Sequence, residues 1–297
     1  MERIRLTFLG TGTSFGIPVV GCDCSVCTST DIRDRRSRHG ALVSWESGGR
    51  FLVDTPPELR LQLLREGIDS VDAVWFTHGH ADHLHGIDDL RIFSLRSRRS
   101  LPVWAPADTV PLLLSRFRYI FDGGVRPQQG TSKPELDLRT VDPETPEEIL
   151  GRTVMPLPVP HGAMQPLGFR VGDVGYVTDA KTLPDRTMER LAGVRLLVLN
   201  ALWRGRPHPT HFNVEEAVAM AERIGARRTY LTHLTHRLSH QELVDTLPPG
   251  VHPARDGLTV ELGPDGIRES GTGEEGGNEH FGPFQSLPPT PEEGASP

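Results

Sequence analysis

Four side chains able to bind a metal ion lie within six residues, in His78-Gly-His80-Ala-Asp82-His83. They directly follow the apolar run Ala73–Thr77, which reads as a strand. Imidazole and carboxylate are good donors to a borderline divalent cation such as zinc or manganese. A loop at a strand end can splay such closely spaced ligands toward two neighbouring ions, where a regular helix or strand could not. Further donors occupy matching positions. His161 follows the run 157–160, Asp179 follows 175–178, and His233 follows 230–232. Any one of these alone would be an ordinary capping or buried polar residue. Together they imply strands that open onto one shared edge. Asp54 ends another strand, 51–53, and is expected to orient a ligand histidine through its free ring N–H.

A second cluster is made of sulfur. The chain's three cysteines, Cys22, Cys24 and Cys27, fall within six residues. An odd number at this spacing suits a reduced metal cluster, not a disulfide framework. Structural zinc is tetrahedral, so three thiolates leave one ligand to be found elsewhere. The preceding Gly10-Thr-Gly12-Thr-Ser14-Phe-Gly16 follows a strand, as a dinucleotide-binding fingerprint does. Its third glycine comes one position late, and Pro18 and Gly21 block the helix that must follow. It is expected to form a tight turn that brings backbone N–H groups or Ser14 near a ligand.

The elements that must position these groups are short. Apolar runs bounded by Gly, Pro and Asp predict strands over 4–9, 41–45, 51–53, 73–76, 102–104, 154–159, 169–171, 175–178, 195–199 and 229–231. Helical patterns cover 58–66, 88–95, 109–120, 183–191 and 214–224, the last with Asn213 as N-cap. Early strands are near neighbours and later ones alternate with helices, which predicts an α/β fold with mixed sheets and helices outside. The polar, Pro-rich stretch 122–152 reads as an insertion able to cover a site.

Of 297 residues, 36% are hydrophobic and 24% charged, enough for a core without staples. Residues 1–263 are expected to form one domain. Residues 264–297 read as a disordered acidic Gly/Pro-rich tail, because such a composition buries too little apolar surface. The net charge of −7 arises mainly there: Glu269–Pro297 holds six Glu and no Lys or Arg. Without them the balance is 32 basic to 33 acidic, which argues against a dedicated nucleic-acid surface. Arg91, Arg96, Arg98 and Arg99 read as a solvated helix end. No apolar run approaches the roughly 20 residues of a membrane span. The start lacks a signal-peptide core, and a cytoplasmic location is expected.

His-x-His-x-Asp-His with a distal His, Asp and His resembles the signature of the metallo-β-lactamase-fold hydrolases, over roughly residues 3–262. The resemblance implies an αββα sandwich with a two-metal site at the sheet edge. One ion would take His78, His80 and His161, the second Asp82, His83 and His233, with Asp179 and a water or hydroxide bridging them. Gly10-Thr-Gly-Thr-Ser-x-Gly-x-Pro, the cysteine cluster, Asp34-Arg-Arg36-x-Arg38, His208-Pro-Thr-His211-Phe-Asn and Leu231-Thr-His233-Leu-Thr-His236 resemble the PhnP-like cyclic phosphodiesterases within that superfamily. That likeness implies a structural zinc completed by His236, with His240 as the alternative.

Phosphodiester hydrolysis needs a nucleophile, charge neutralisation and a proton for the leaving alkoxide. Two ions about 3.5–4 Å apart supply the first two. His211 is the expected general acid, with His208 as its rival, and Asp82 is the other residue given a catalytic role. His85 is expected to be structural or to support a ligand. The expected partner is a small cyclic or nucleotide-like phosphodiester, not nucleic acid or membrane, with a homodimer by fold analogy. Alternatives are a tRNA 3′-processing endonuclease, whose basic RNA-gripping arm the 122–152 stretch does not match, a thioester hydrolase, and a non-enzymatic metal-binding member.

Overall fold

The computed structural model describes residues 2–271. The strands are β1 (Ile4–Gly10), β2 (Gly40–Trp45), β3 (Arg50–Val53), β4 (Ala73–Trp75), β5 (Leu101–Pro106), β6 (Leu136–Val141), β7 (Glu147–Ile149), β8 (Arg152–Pro158), β9 (Leu167–Val171), β10 (Val174–Tyr176), β11 (Leu196–Asn200), β12 (Arg228–Thr232), β13 (Val251–Pro253), β14 (Leu258–Gly263) and β15 (Gly266–Gly271). They build two mixed sheets, in the orders β15-β14-β1-β2-β3-β4-β5-β6 and β13-β12-β11-β10-β9-β8-β7.

Alternation along these strands serves two cores at once. In β2, Ala41, Val43 and Trp45 face the space between the sheets, while Leu42 faces the other way. In β11, Leu196 and Val198 face inward, and Leu197 and Leu199 outward. Aromatic rings fill the centre: Phe51 meets Phe169 edge-on at 5.3 Å, and Phe169 stacks on Tyr176 at 5.3 Å. The outer face of the first sheet is covered by α1 (Leu59–Arg65), α2 (Ala81–Leu84), α3 (Arg91–Ser97), α4 (Val110–Arg116) and α5 (Arg118–Phe121). The second sheet carries α6 (Asp185–Leu191), α7 (Val214–Ile224) and α8 (His240–Thr246). The result is the expected four-layer αββα sandwich.

Local chemistry places α7 as the sequence predicts. Asn213 accepts from Glu216 N (2.8 Å), and the Glu216 carboxylate accepts from Asn213 N (3.0 Å), a reciprocal cap. Val214, Ala217, Met220 and Ala221 form its buried stripe.

Two expectations are corrected. The 122–152 stretch is not a lid: β6 and β7 lie within it and end the two sheets, β6 parallel to β5 and β7 antiparallel to β8. Their polar residues face solvent because both are edge strands. The boundary at 263 is also too early. A turn at 264–265 returns the chain as β15, antiparallel to β14, with Arg228 and Tyr230 both bonded to Glu269. The rest of the expected tail, 272–297, lies outside the described residues.

Candidate metal centre

β3 and β4, parallel neighbours in the first sheet, and β12, parallel to β11 in the second, all end where the candidate ligands gather, and those ligands follow them. Asp54 comes directly after β3, His78 three residues after β4, and His233 directly after β12. Asp54, Asp179 and His233 have φ of 61°, 55° and 57°. Among the described residues only Arg98 and Leu150 are other non-glycine residues with positive φ. Three left-handed residues at one edge is strain concentrated where the chain must turn its donors inward. Asp82 and His83 belong to the short helix α2 and not to a loop as expected, and this turn aims both at the same point.

All seven expected ligands meet there. The ligand atoms of His78, His80 and His161 lie within 4.8 Å of one another, as do those of Asp82, His83 and His233, and those of His78, His83 and Asp179. His78 Nε2 is 2.8 Å from His80 Nδ1. Asp179 lies 3.5 Å from His83 Nε2 and 3.4 Å from His233 Nε2, so it touches the second group while sharing the first. His161 Nδ1 is 3.1 Å from Thr210 O, a bond that holds the N–H at Nδ1 and leaves Nε2 free to bind. Asp54 is the expected orienting carboxylate: it accepts from Thr77 N (2.7 Å) and Thr77 Oγ1 (2.8 Å) and lies 2.6 Å from His83 Nδ1.

The electrostatics call for cations. His83 Nε2 and both ring nitrogens of His233 are buried without a hydrogen-bond partner among the described residues, a costly arrangement unless something binds them. Burial disfavours a charge on His83, yet Asp54, Asp82 and Asp179 crowd it and push it up to about 10. Burial likewise opposes ionisation of Asp179, but His233, His83 and His211 hold it well below the usual carboxylate range. A nest of carboxylates and neutral imidazoles that would otherwise have to bind protons fits divalent metal ions.

A family model described as "Beta-lactamase superfamily domain" matches residues 49–234, a span that contains all seven of these residues. The chain belongs to the β-lactamase superfamily. A crystal structure of a diphosphatase from the PhnP family is 41% identical, with a TM-score of 0.80, covering 88% of this chain and 98% of that one. An octanoyltransferase of Porphyromonas gingivalis is 39% identical over 266 residues, 89% of this chain and 53% of that protein. The chain therefore spans about half the length of that relative. A ribonuclease Z of Mycobacterium sp. (strain KMS) is 29% identical over 233 residues, 69% of this chain and 81% of that one. The chain is a metallo-β-lactamase-fold hydrolase that resembles the PhnP family.

A feature carried by the PhnP-like resemblance is the sulfur cluster. His236 Nδ1 lies 3.3 Å from Cys22 Sγ, 3.5 Å from Cys24 Sγ and 3.6 Å from Cys27 Sγ. His240 instead opens α8, its backbone N donating to Asp34 Oδ1 (2.6 Å), and its ring is not part of this group. The Cys27 N–H lowers the Cys24 thiol to about 6, whereas burial pushes Cys27 up to about 11. One loop, 233–236, thus carries a residue of each candidate cluster. Leu234 N donates to Thr11 O (2.9 Å), and the buried Arg36 donates to Thr235 O (3.0 Å). The Gly10-Thr-Gly turn contributes a carbonyl to this loop instead of N–H groups to a ligand, and Ser14 is exposed. Its glycines are needed for close approach: a Cβ at Gly10 would come 1.9 Å from Arg38 O, and one at Gly12 2.8 Å from Arg36 O.

His211 stands at the rim. Its Nε2 is 2.8 Å from Asp179 Oδ1, and its ring is 4.7 Å from His161 and 5.1 Å from His233. His208 meets the site through His211 (Nδ1 to Nδ1 3.2 Å) and through Thr210, whose N–H donates to His208 Nδ1 (3.3 Å), and it packs on Trp203. Burial lowers both, and Asp179 opposes that at His211. His85 is exposed and lies edge-on to Phe117 at 5.6 Å.

Sequence reasoning missed His39. It is wholly buried beneath the second group, 5.5 Å from the His83 ring and 5.8 Å from that of His233. Its Nε2 is 2.6 Å from Tyr176 Oη and its Nδ1 3.3 Å from Thr232 Oγ1. The only available signal was a histidine heading the apolar strand Gly40–Trp45.

Proposed function

We propose that this hydrolase is a metal-dependent phosphodiesterase acting on a small cyclic or nucleotide-like phosphodiester. The observation that carries the reading is His211, bonded through Nε2 to Asp179 Oδ1 (2.8 Å) and in ring contact with ligand histidines from both metal groups. His78, His80 and His161 would hold one divalent ion, Asp82, His83 and His233 the other, and Asp179 both; zinc and manganese suit the donors. Bound there, the ions would supply an activated water and neutralise charge on the phosphoryl oxygens. The chain's own residues do the rest. Asp54 holds the His83 ring in place. His211 keeps a proton at Nε2 and delivers it to the leaving alkoxide. His208, one ring further out, supports His211. A structural zinc on Cys22, Cys24, Cys27 and His236 would pin the N-terminal loop to loop 233–236.

The PhnP-family diphosphatase supports phosphoryl chemistry, and the ribonuclease Z likeness supports phosphodiester cleavage. Against an RNA substrate stands the use of 122–152 to complete the two sheets. No helix among the described residues is long and apolar enough to cross a membrane. The free thiols suit the reducing cytoplasm. The test is a panel on metal-reconstituted protein: bis-p-nitrophenyl phosphate, 2′,3′-cyclic nucleotides, ribose cyclic phosphate, thioesters and pre-tRNA. Turnover of the small phosphodiesters is expected. Turnover of thioesters or pre-tRNA alone would overturn the reading.

A further inference from the structure

Beside the metal centre lies a cleft of about 640 Å³, lined by Gly79, His80, Ala81, His85, Arg116 and Phe117. It shares His80 with the first metal group. It is far larger than a phosphate needs. Three features give it chemistry. Arg116, the last residue of α4, is exposed and donates from one guanidinium nitrogen to Gly79 O (2.7 Å), the carbonyl between His78 and His80. That bond fastens the guanidinium to the ligand turn. It is possible only because α4 comes so close: a Cβ at Gly79 would stand 2.4 Å from Leu112 Cδ1. Among the described residues no carboxylate pairs with Arg116, so its remaining N–H groups are available to an anion. Phe117 and His85 meet at 88° and offer flat ring faces, one apolar and one imidazole. Asp88, the carboxylate three residues beyond His85, is occupied by Arg91 and by Tyr119 Oη (2.6 Å).

The general acid lies elsewhere on the same centre: the His161 ring is 4.7 Å from His211 and 5.2 Å from His80. The leaving group belongs with His211. We infer that the cleft past His80 binds the half of the substrate retained on the scissile phosphorus, and that this half carries a planar ring and a second anionic group, the anion on Arg116 and the ring on Phe117 and His85. This inference rests on the phosphodiesterase reading above. An arginine fork held by one N–H presents the others in the planar geometry that a phosphate accepts, and aromatic faces hold a base whatever its identity.

The test is binding of three product-like probes to the metal-loaded protein by calorimetry: orthophosphate, AMP, which has the ring and one phosphate, and ADP, which adds the second anion. Wild type is expected to prefer ADP over AMP by about tenfold or more, the gain of a charge-assisted pair. Arg116→Gln should abolish that preference and Arg116→Lys should retain part of it. Phe117→Leu should weaken both nucleotides relative to orthophosphate. A ratio of two ligands on one protein is not moved by a general loss of fold, and elemental analysis of each variant confirms equal metal loading. No ADP preference in wild type, or an undiminished one in Arg116→Gln, overturns the inference. A protein that shows the Arg116-dependent preference but hydrolyses no phosphodiester would sink the activity and leave the subsite standing.

Discussion

Asp54 Oδ2 and His83 Nδ1 are 2.6 Å apart, and both side chains are wholly shielded from solvent. The carboxylate holds the ring so that Nε2 points at Asp82 and Asp179 (3.6 and 3.5 Å). Asp54→Asn should keep the backbone, since Asn tolerates the left-handed φ that Asp54 adopts, yet lose the charge that orients the imidazole. Affinity for the second ion should fall about 10- to 100-fold, with the first little changed. Metal titration followed by calorimetry separates the two. Equal affinities in mutant and wild type would rule out an orienting role.

The thiolate cluster makes a different demand. A metal binds thiolate and not thiol, so zinc affinity should fall as pH falls. The Val19 N–H on Cys27 Sγ (3.3 Å) and the Cys27 N–H on Cys24 Sγ (3.5 Å) favour the charged form of each sulfur. Cys24→Ser should therefore release this zinc at neutral pH. It should also lower the melting temperature and loosen the catalytic metals, because His233 and His236 share one loop. Elemental analysis with a thermal melt reads both effects. A variant that keeps stability, metal content and activity would refute the proposed pinning.

These two centres differ in how legible they were. Motif spacing placed His78, His80, Asp82 and His83 together, and the strand-end positions of His161, Asp179 and His233 followed from apolar runs that stop short of them. What could not be read was which way the backbone turns: the left-handed φ of Asp54, Asp179 and His233 is a tertiary consequence. The strands β13 and β14 were not anticipated, and the edge strands β6, β7 and β15 were missed for a related reason. Their faces are half solvated, so their composition looks like loop. Arg116 was invisible because nothing in sequence ties the end of α4 to Gly79, 37 residues earlier.

His39 was also invisible, and it carries its own prediction. Burial keeps it well below its ordinary range, hence neutral. It ties together two strands of the second sheet, at Tyr176 of β10 and at Thr232, the residue before His233, on the end of β12. His39→Ala leaves a cavity and two polar groups without their partner, at a cost of about 2–4 kcal/mol. His39→Gln should recover part of this by keeping one hydrogen bond. Denaturant unfolding of the metal-free proteins measures the cost apart from any metal effect. An unchanged midpoint in His39→Ala would show that the histidine supports nothing.

The last prediction separates proton transfer from metal binding. His211→Ala removes a rim ring whose nitrogen lies within 4.8 Å of the ligand atoms of His161 and Asp179 but which is not one of the seven expected ligands. Both ions should therefore stay bound while kcat falls about 10²- to 10⁴-fold, the usual worth of a positioned acid. The acid must be protonated to act, so wild-type turnover should decline as pH rises through the His211 pKa. That limb should vanish in the mutant. A substrate with a p-nitrophenolate leaving group needs little protonation, so its loss should be smaller than that of an alkoxide ester. His208→Ala, which removes the Nδ1 contact to His211 Nδ1 (3.2 Å) but leaves the His211 ring and its bond to Asp179 in place, should lose less than His211→Ala on both. Equal losses on good and poor leaving groups would mean that His211 shapes the site and does not donate the proton.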